Sequence, residues 1–348
     1  MSKTSTESVR HALGGATMGT RWSALFYTDP GFDAAPIRSS LRAAVEEVDA
    51  QMSTWRPESD LVRFSGAPVG QWMNLPDRLI AVLRLGLGIG RASGGAFDIG
   101  LGDAVAAWGF GSAAASPDGI RAAMERRREP AHELLELDPS AGMARKLGPV
   151  TLDLNGIAKG YGVDRLAEVL TGFGLKAGLV GIDGEMRALG LRPDGRAWTV
   201  AVEAPDPDRR TPHSLLALED AAVATSGDYR HWVDVGGRRL SHSMDPWRGA
   251  PLVSPPASVT VVARTCAEAD AWATALMVLG VEDGGRLADR LGLHALFLTR
   301  DAESGIRASG RGPLLARTTG SGRGCAPGAA RTDAAPGHQV LSPAARRR

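Results

Sequence analysis

Asp270 and Thr274 are the residues whose types and spacing most directly suggest chemistry. They stand four apart in Glu268-Ala269-Asp270-Ala271-Trp272-Ala273-Thr274-Ala275-Leu276. In a helix that spacing stacks a carboxylate and a hydroxyl on one face. Hard oxygens so placed suit Mg²⁺, which takes one or two protein oxygens and completes its shell with water and substrate phosphates. The small residues Ala269, Ala271, Ala273 and Ala275 would leave room for a bulky group to approach. The same pair also fits an ordinary helix, with the acid complementing the dipole and the threonine hydroxyl returned to a carbonyl.

Other segments add separate chemistries. Asp153-Leu154-Asn155-Gly156-Ile157-Ala158-Lys159-Gly160-Tyr161 reads as an acidic strand end, a turn and a helix start, where free N–H groups receive anions. Lys159 in the first turn can reach a phosphate or a ligand carbonyl; a plain strand-to-helix connection with a surface lysine is the alternative. In Gly94-Gly95-Ala96-Phe97-Asp98, followed by Trp108-Gly109-Phe110-Gly111, glycines admit a ligand while Phe97 offers a ring and Asp98 an acceptor. His242, within Ser241-His242-Ser243-Met244-Asp245-Pro246, is placed either as an acid, base or phosphate donor or as part of a turn. Trp55, after Met52-Ser53-Thr54, suits stacking on a flat ring or a place in the core. Polar density in Ala224-Thr225-Ser226-Gly227-Asp228-Tyr229-Arg230 suggests a turn.

The elements that must position these groups follow from periodicity. Ile37, Leu41, Val45, Val48 and Met52 make one helical stripe over Pro36–Met52, with Ser39 and Ser40 as caps. A second helix runs from about Pro76 and dissolves in the Gly-rich 86–95 segment; a third covers Pro117–Arg128. Val150–Leu154 leads into a helix over Asn155–Leu170. Strands are expected at Gly178–Ile182, Met186–Leu189, Trp198–Glu203 and Ser258–Ala263, then a helix over Ala267–Leu279 and a last strand at Ala295–Thr299.

Composition bounds the function more than it reveals it. The 348 residues are 43% hydrophobic and 23% charged, the mix of a soluble globular chain with a sizeable core. A net charge of +1 gives no electrostatic reason to expect nucleic acid or an acidic membrane as partner. Cys266 and Cys325 form no disulfide framework or zinc spacing. Residues 1–15 lack a signal-peptide core and no run approaches a membrane span, so the chain as written is expected in the cytoplasm. The glycines at 86, 88, 90 and 94 do not form a dinucleotide fingerprint, which argues against a nicotinamide dehydrogenase. Beyond Ala302, Gly, Ala, Arg, Ser and Pro dominate up to Arg346-Arg347-Arg348, the composition of a disordered tail.

In order, the motifs at Met18-Gly19-Thr20, Met52 to Trp55, Gly95 to Asp98, Trp108 to Gly111, Asp153 to Gly160, Ala224 to Tyr229, Ser241-His242 with Asp245-Pro246, and Ala269-Asp270 with Ala273-Thr274 resemble the ApbE-type FAD:protein FMN transferases. The resemblance spans about Gly14 to Thr299. It implies an α+β fold of mixed, largely antiparallel sheets flanked by helices, in two interleaved lobes with the flavin site between them. It also implies one flavin transferase domain over 14–301, and the disordered tail expected from composition over 302–348 lies outside it.

Such enzymes cleave the FAD diphosphate with Mg²⁺ and attach FMN through its phosphate to a Thr or Ser hydroxyl of a target flavoprotein, releasing AMP. The resemblance assigns FAD binding to Met18, Trp55, Ala96, Phe97, Asp98, Asp153, Lys159 and Met244. It assigns the metal to Gly156, Asp270, Ala273 and Thr274, of which Gly156 and Ala273 offer only backbone oxygens. Substrate binding and catalysis fall to His242, and either His242 or Asp270 takes the proton of the target hydroxyl. Asn155 and Asp183 depart from the family's frequent glycines, and Trp247 and Arg248 make an unusual loop. Many members are exported or lipid-anchored. An FAD pyrophosphatase would use the same residues with water as acceptor; a non-catalytic flavin-binding or delivery protein could dispense with Asp270, Thr274 or His242, all present here.

Overall fold

The computed structural model describes residues 8–111, 114–206, 209–229, 232–235, 238–301, 305–315 and 320–322. Its frame is a nine-stranded sheet built from Val9–Thr17, Thr20–Thr28, Gly178–Ile182, Glu185–Leu189, Ala222–Gly227, Ser258–Ala263, His294–Asp301, Gly305–Arg311 and Gly320–Gly322. Spatial order equals chain order, and every pairing is antiparallel. The other elements are insertions between neighbouring strands. The largest, residues 35–172, carries seven of the eight helices among the described residues and its own core around Phe64, Leu79, Leu83, Phe97 and Ile157. The α+β expectation of two interleaved lobes is met, because the helical lobe leaves and re-enters the sheet between two paired strands.

Helix Cys266–Leu291 joins the lobes. Ala267, Ala271 and Ala275 pack in the helical-lobe core, whereas Ala269, Ala273, Leu276 and Met277 pack against the sheet core around Val259, Val261 and Phe297. The alanines therefore serve close packing with protein on two sides. Ala269, Ala271, Ala273 and Ala275 are all fully buried, which corrects the expectation that they make room for a ligand. Thr265 and Glu268 close a capping box at the start, and the helix runs through a kink at Gly280 well past Leu279.

Several local expectations are corrected by packing. Helix Ala35–Met52 starts at Ala35 with Pro36 in its first turn, so Ser39 and Ser40 lie inside it rather than capping it. Helix Asp77–Ala92 does not dissolve at its glycines; a side chain at Gly90 would come within 2.9 Å of the Phe97 carbonyl oxygen. Helix Ala158–Gly172 begins after the turn rather than at Asn155, and Pro117–Glu125 ends before Arg128. Val150–Leu154 contributes a single bridge, Leu101 to Thr151. Ala222–Gly227 is a strand, not a turn: it pairs with Ser258–Ala263, and the Thr225 and Thr260 hydroxyls lie 2.9 Å apart.

The expected last strand is His294–Asp301, and it is not last. Gly305–Arg311, inside the segment expected to be a tail from 302, pairs with it along its length, and Ala308 and Leu315 are buried. Ladder hydrogen bonds hold this strand, which a composition poor in large apolar residues conceals. Cys325 and the terminal arginines lie outside the described residues. Cys266 is buried, with its thiol pushed well up by burial. No helix among the described residues is long and apolar enough to cross a membrane.

Candidate active site

Two hairpin turns define one end of the sheet. Thr17 pairs with Thr20, leaving Met18 and Gly19 as a two-residue loop with φ of 45° and 71°. Ile182 pairs with Glu185 around Asp183 and Gly184, with φ of 57° and 141°. Such loops match the twist of antiparallel strands but need the left-handed region, which Met18 and Asp183 occupy without being glycine. The turns meet where the Thr20 hydroxyl donates to Asp183 Oδ1 at 3.2 Å.

They border a cavity of about 1640 Å³ enclosed between the lobes. Met18, Trp55, Ala96, Phe97, Asp98, Asp153, Gly156, Lys159, His242, Met244, Asp270 and Thr274 all line it. One expected residue does not: Ala273 is fully buried against the sheet core. Trp55 is 59% exposed, which excludes the core alternative.

Helix Ala158–Gly172 crosses helix Cys266–Leu291 at Gly160, where a Cβ would lie 2.4 Å from the Cys266 carbonyl oxygen and 2.7 Å from Asp270 Cβ. The contact lets the Gly160 N–H donate to Asp270 Oδ2 at 2.9 Å. Asp164, one turn further on, accepts from the Cys266 and Ala267 N–H groups at 2.8 and 2.9 Å, fixing the start of the second helix. On the next turn Thr274 Oγ1 lies 3.1 Å from Ser226 Oγ. Gly156 also approaches this turn, where a Cβ would fall 3.1 Å from Thr274 Oγ1. The pair read from the sequence and the Gly156 turn are thus neighbours on the cavity.

Electrostatics concentrate here. Burial and the nearby Glu185 charge push the Asp270 carboxyl up to about 7, against the pull of Lys159 and the Gly160 N–H. Burial pushes Asp153 up to about 6, although its carboxylate accepts from the Asn155 backbone and side chain, both at 2.8 Å. Burial acts to lower Lys159, but Glu185, Asp270 and Asp183 outweigh it and raise the ammonium overall. Asp98 accepts from the Gly100 and Ala131 N–H groups at 2.8 and 3.0 Å, so it also shapes the loop behind Phe97.

Across the cavity, the His242 ring meets Phe110 edge-on at 6.4 Å. The Trp108 indole donates to the Gly249 carbonyl at 2.9 Å, tying the Trp108–Gly111 motif to the loop that carries Met244. Among the described residues, no three His, Cys, Asp or Glu side chains gather as a metal cage. Asp270, Thr274 and the Gly156 backbone could hold a cation: few, hard and oxygen only, they suit one that draws its remaining ligands from solvent and phosphate.

The ApbE family model matches residues 18–297. The chain belongs to the ApbE family. A FAD:protein FMN transferase from Vibrio cholerae is 34% identical over 292 residues, covering 83% of this chain and 87% of that protein. Its Escherichia coli K12 counterpart is 30% identical over 300 residues, covering 84% and 85%. Among solved structures, the apo flavinyl transferase ApbE of Pseudomonas stutzeri matches with a TM-score of 0.78 at 34% identity, covering 91% of this chain and 98% of that one. The Vibrio cholerae flavin transferase ApbE matches with a TM-score of 0.77 at 32% identity, covering 87% and 97%. As an ApbE protein this chain is an enzyme, a transferase.

Residue types alone did not single out Ser226, Glu185 or Phe110 as site residues. Ser226 was hidden in a segment that read as a turn. Glu185 carried a signal, a lone acid directly after an Asp-Gly hairpin turn between two apolar strands.

Proposed function

We propose that this ApbE enzyme is a Mg²⁺-dependent FAD:protein FMN transferase that attaches FMN to a Thr or Ser of a target flavoprotein. The observation that carries the reading is the meeting of Asp270, Thr274 and Gly156 on one cavity whose other lining groups suit a ring system and a phosphate. Family membership and the names of the relatives support it. The cavity exceeds the usual ~300–1,000 Å³ of a small-molecule site, so FAD and an acceptor segment can share it.

In this reading Trp55 stacks on a ring of FAD, while Met18, Ala96, Phe97, Asp98, Asp153 and Met244 enclose the rest. Lys159 offers its ammonium to the diphosphate. Asp270, Thr274 and the Gly156 backbone oxygen would hold the metal. Bound there, Mg²⁺ supplies charge neutralisation for the phosphorus under attack and for the departing phosphate. The acceptor hydroxyl oxygen bonds to the FMN phosphorus as the bridging P–O bond breaks and AMP leaves. The hydroxyl proton passes to His242 or Asp270. Such transfer demands positioning and charge stabilisation more than covalent participation.

The test is incubation with FAD and Mg²⁺, with and without a candidate flavoprotein, followed by mass spectrometry. An acceptor heavier by one FMN unit, with equal AMP, is expected. AMP and FMN without an adduct would mean hydrolysis, and bound intact FAD would mean a binding protein; either result replaces the proposal.

A further inference from the structure

Lys159 lies between two carboxylates of unequal character. Its Nζ is 2.7 Å from Glu185 Oε1 and 3.4 Å from Asp183 Oδ2. The Glu185 side chain is only 5% exposed, whereas Asp183 is 30% exposed and sits on a hairpin turn facing the cavity. Glu185 Oε2 is buried without a hydrogen-bond partner among the described residues. A buried carboxylate compensated on one oxygen costs stability, so fold maintenance gives a poor account of it. Asp183 holds a left-handed φ of 57° that glycine would adopt freely, yet it places a carboxylate beside the one lysine of the cavity wall.

The geometry points to a division of labour: Glu185 is a positioning residue that anchors Lys159, and Asp183 is a competitor that a diphosphate displaces from it. The long, partly exposed contact is the cheap one to break, and the short, buried one keeps the ammonium aimed at the cavity. When an anion enters, Lys159 exchanges Asp183 for a phosphate oxygen and keeps Glu185. The two acids on one lysine therefore have opposite effects on ligand affinity. Asp183 also disfavours the anion by its own charge, so it screens for ligands whose phosphates repay the exchange. The inference rests on the proposed function only in taking a diphosphate as the ligand.

The experiment is calorimetric titration of the full chain with ADP and with inorganic diphosphate, in EDTA so that no chemistry proceeds. Asp183→Asn keeps a residue that tolerates the left-handed region and removes the charge. It should tighten both ligands by about 2–5-fold, the scale of a partly exposed pair. Glu185→Gln should weaken both by about tenfold or more, as for a lost charge-assisted hydrogen bond. Adenosine, without phosphate, should bind all three proteins alike.

Weaker or unchanged binding in Asp183→Asn overturns the inference, as does unchanged binding in a folded Glu185→Gln. Circular dichroism checks the fold of each variant. Should Glu185→Gln not fold, Asp183→Asn together with Asp183→Gly decides alone, since both must tighten. These outcomes are separable from the proposed function: absence of FMN transfer with the opposed affinities intact removes the transferase reading and leaves the lysine exchange standing.

Discussion

The Gly160 N–H donates to Asp270 Oδ2 at 2.9 Å, across a helix crossing so tight that a Cβ on Gly160 would strike the Cys266 carbonyl. One bond thereby ties helix Ala158–Gly172, which carries Lys159, to helix Cys266–Leu291, which carries Asp270. It also orients a carboxyl that burial, even against this bond, raises to about 7.

Gly160→Ala should separate the helices. We expect a stability loss of about 1–3 kcal/mol, the scale of overpacking in a close contact. Weaker divalent-cation binding should accompany it. Thermal unfolding with and without Mg²⁺ measures both; an unchanged melting temperature would show that the crossing is looser than described.

The pH dependence of metal binding follows from Asp270. Its carboxyl, raised to about 7, binds a proton in the folded protein that the unfolded chain releases near pH 4. Stability of the metal-free protein from this group therefore falls as pH rises from about 4 through 7. The charged form present above 7 is the one that meets a cation. The gain in melting temperature on adding Mg²⁺ should be larger at pH 8 than at pH 6. Asp270→Asn should raise the metal-free melting temperature at pH 8 and abolish the Mg²⁺ increment.

Asp270→Ala should abolish Mg²⁺-dependent FMN transfer while leaving FAD binding in EDTA near that of the parent. Single-turnover transfer at the parental rate would remove Asp270 from the metal site.

Ser226 Oγ lies 3.1 Å from Thr274 Oγ1 and can accept the threonine O–H hydrogen bond, leaving the threonine lone pairs free for a cation. Ser226→Ala should raise the Mg²⁺ concentration for half-maximal rate by about 10-fold, in the range found when a ligand's supporting partner is lost. The rate at saturating Mg²⁺ should stay close to the parent's. Loss of maximal rate with unchanged Mg²⁺ dependence would contradict this role.

Trp55 is exposed on the cavity rim, so its removal leaves the core intact. Trp55→Ala should weaken FAD binding by about 5- to 150-fold, the equivalent of ~1–3 kcal/mol for one stacked base, without lowering the melting temperature. Trp55→Phe should recover most of the affinity. Fluorescence titration with FAD reports both.

The sequence by itself determined the local facts. Apolar stripes at three- and four-residue spacing placed helix Ala35–Met52, and the run from Val259 to Val262 placed its strand, because side-chain periodicity reflects one buried face. The four-residue spacing put Asp270 and Thr274 on one face, and the ordered motifs marked the ApbE family. Tertiary structure decided what depends on distant residues. The glycines at 86 and 90 look like helix breakers until Phe97 and Ile99 pack on them, while Gly88 stays exposed. Gly305–Arg311 looks like tail until its backbone finds the neighbouring strand. Glu185 and Ser226 acquire meaning only when turn and strand bring them to Lys159 and Thr274, 26 and 48 residues away. Periodicity records which face is buried, not what it is buried against, and a site made of close approaches between elements exists only once those elements pack.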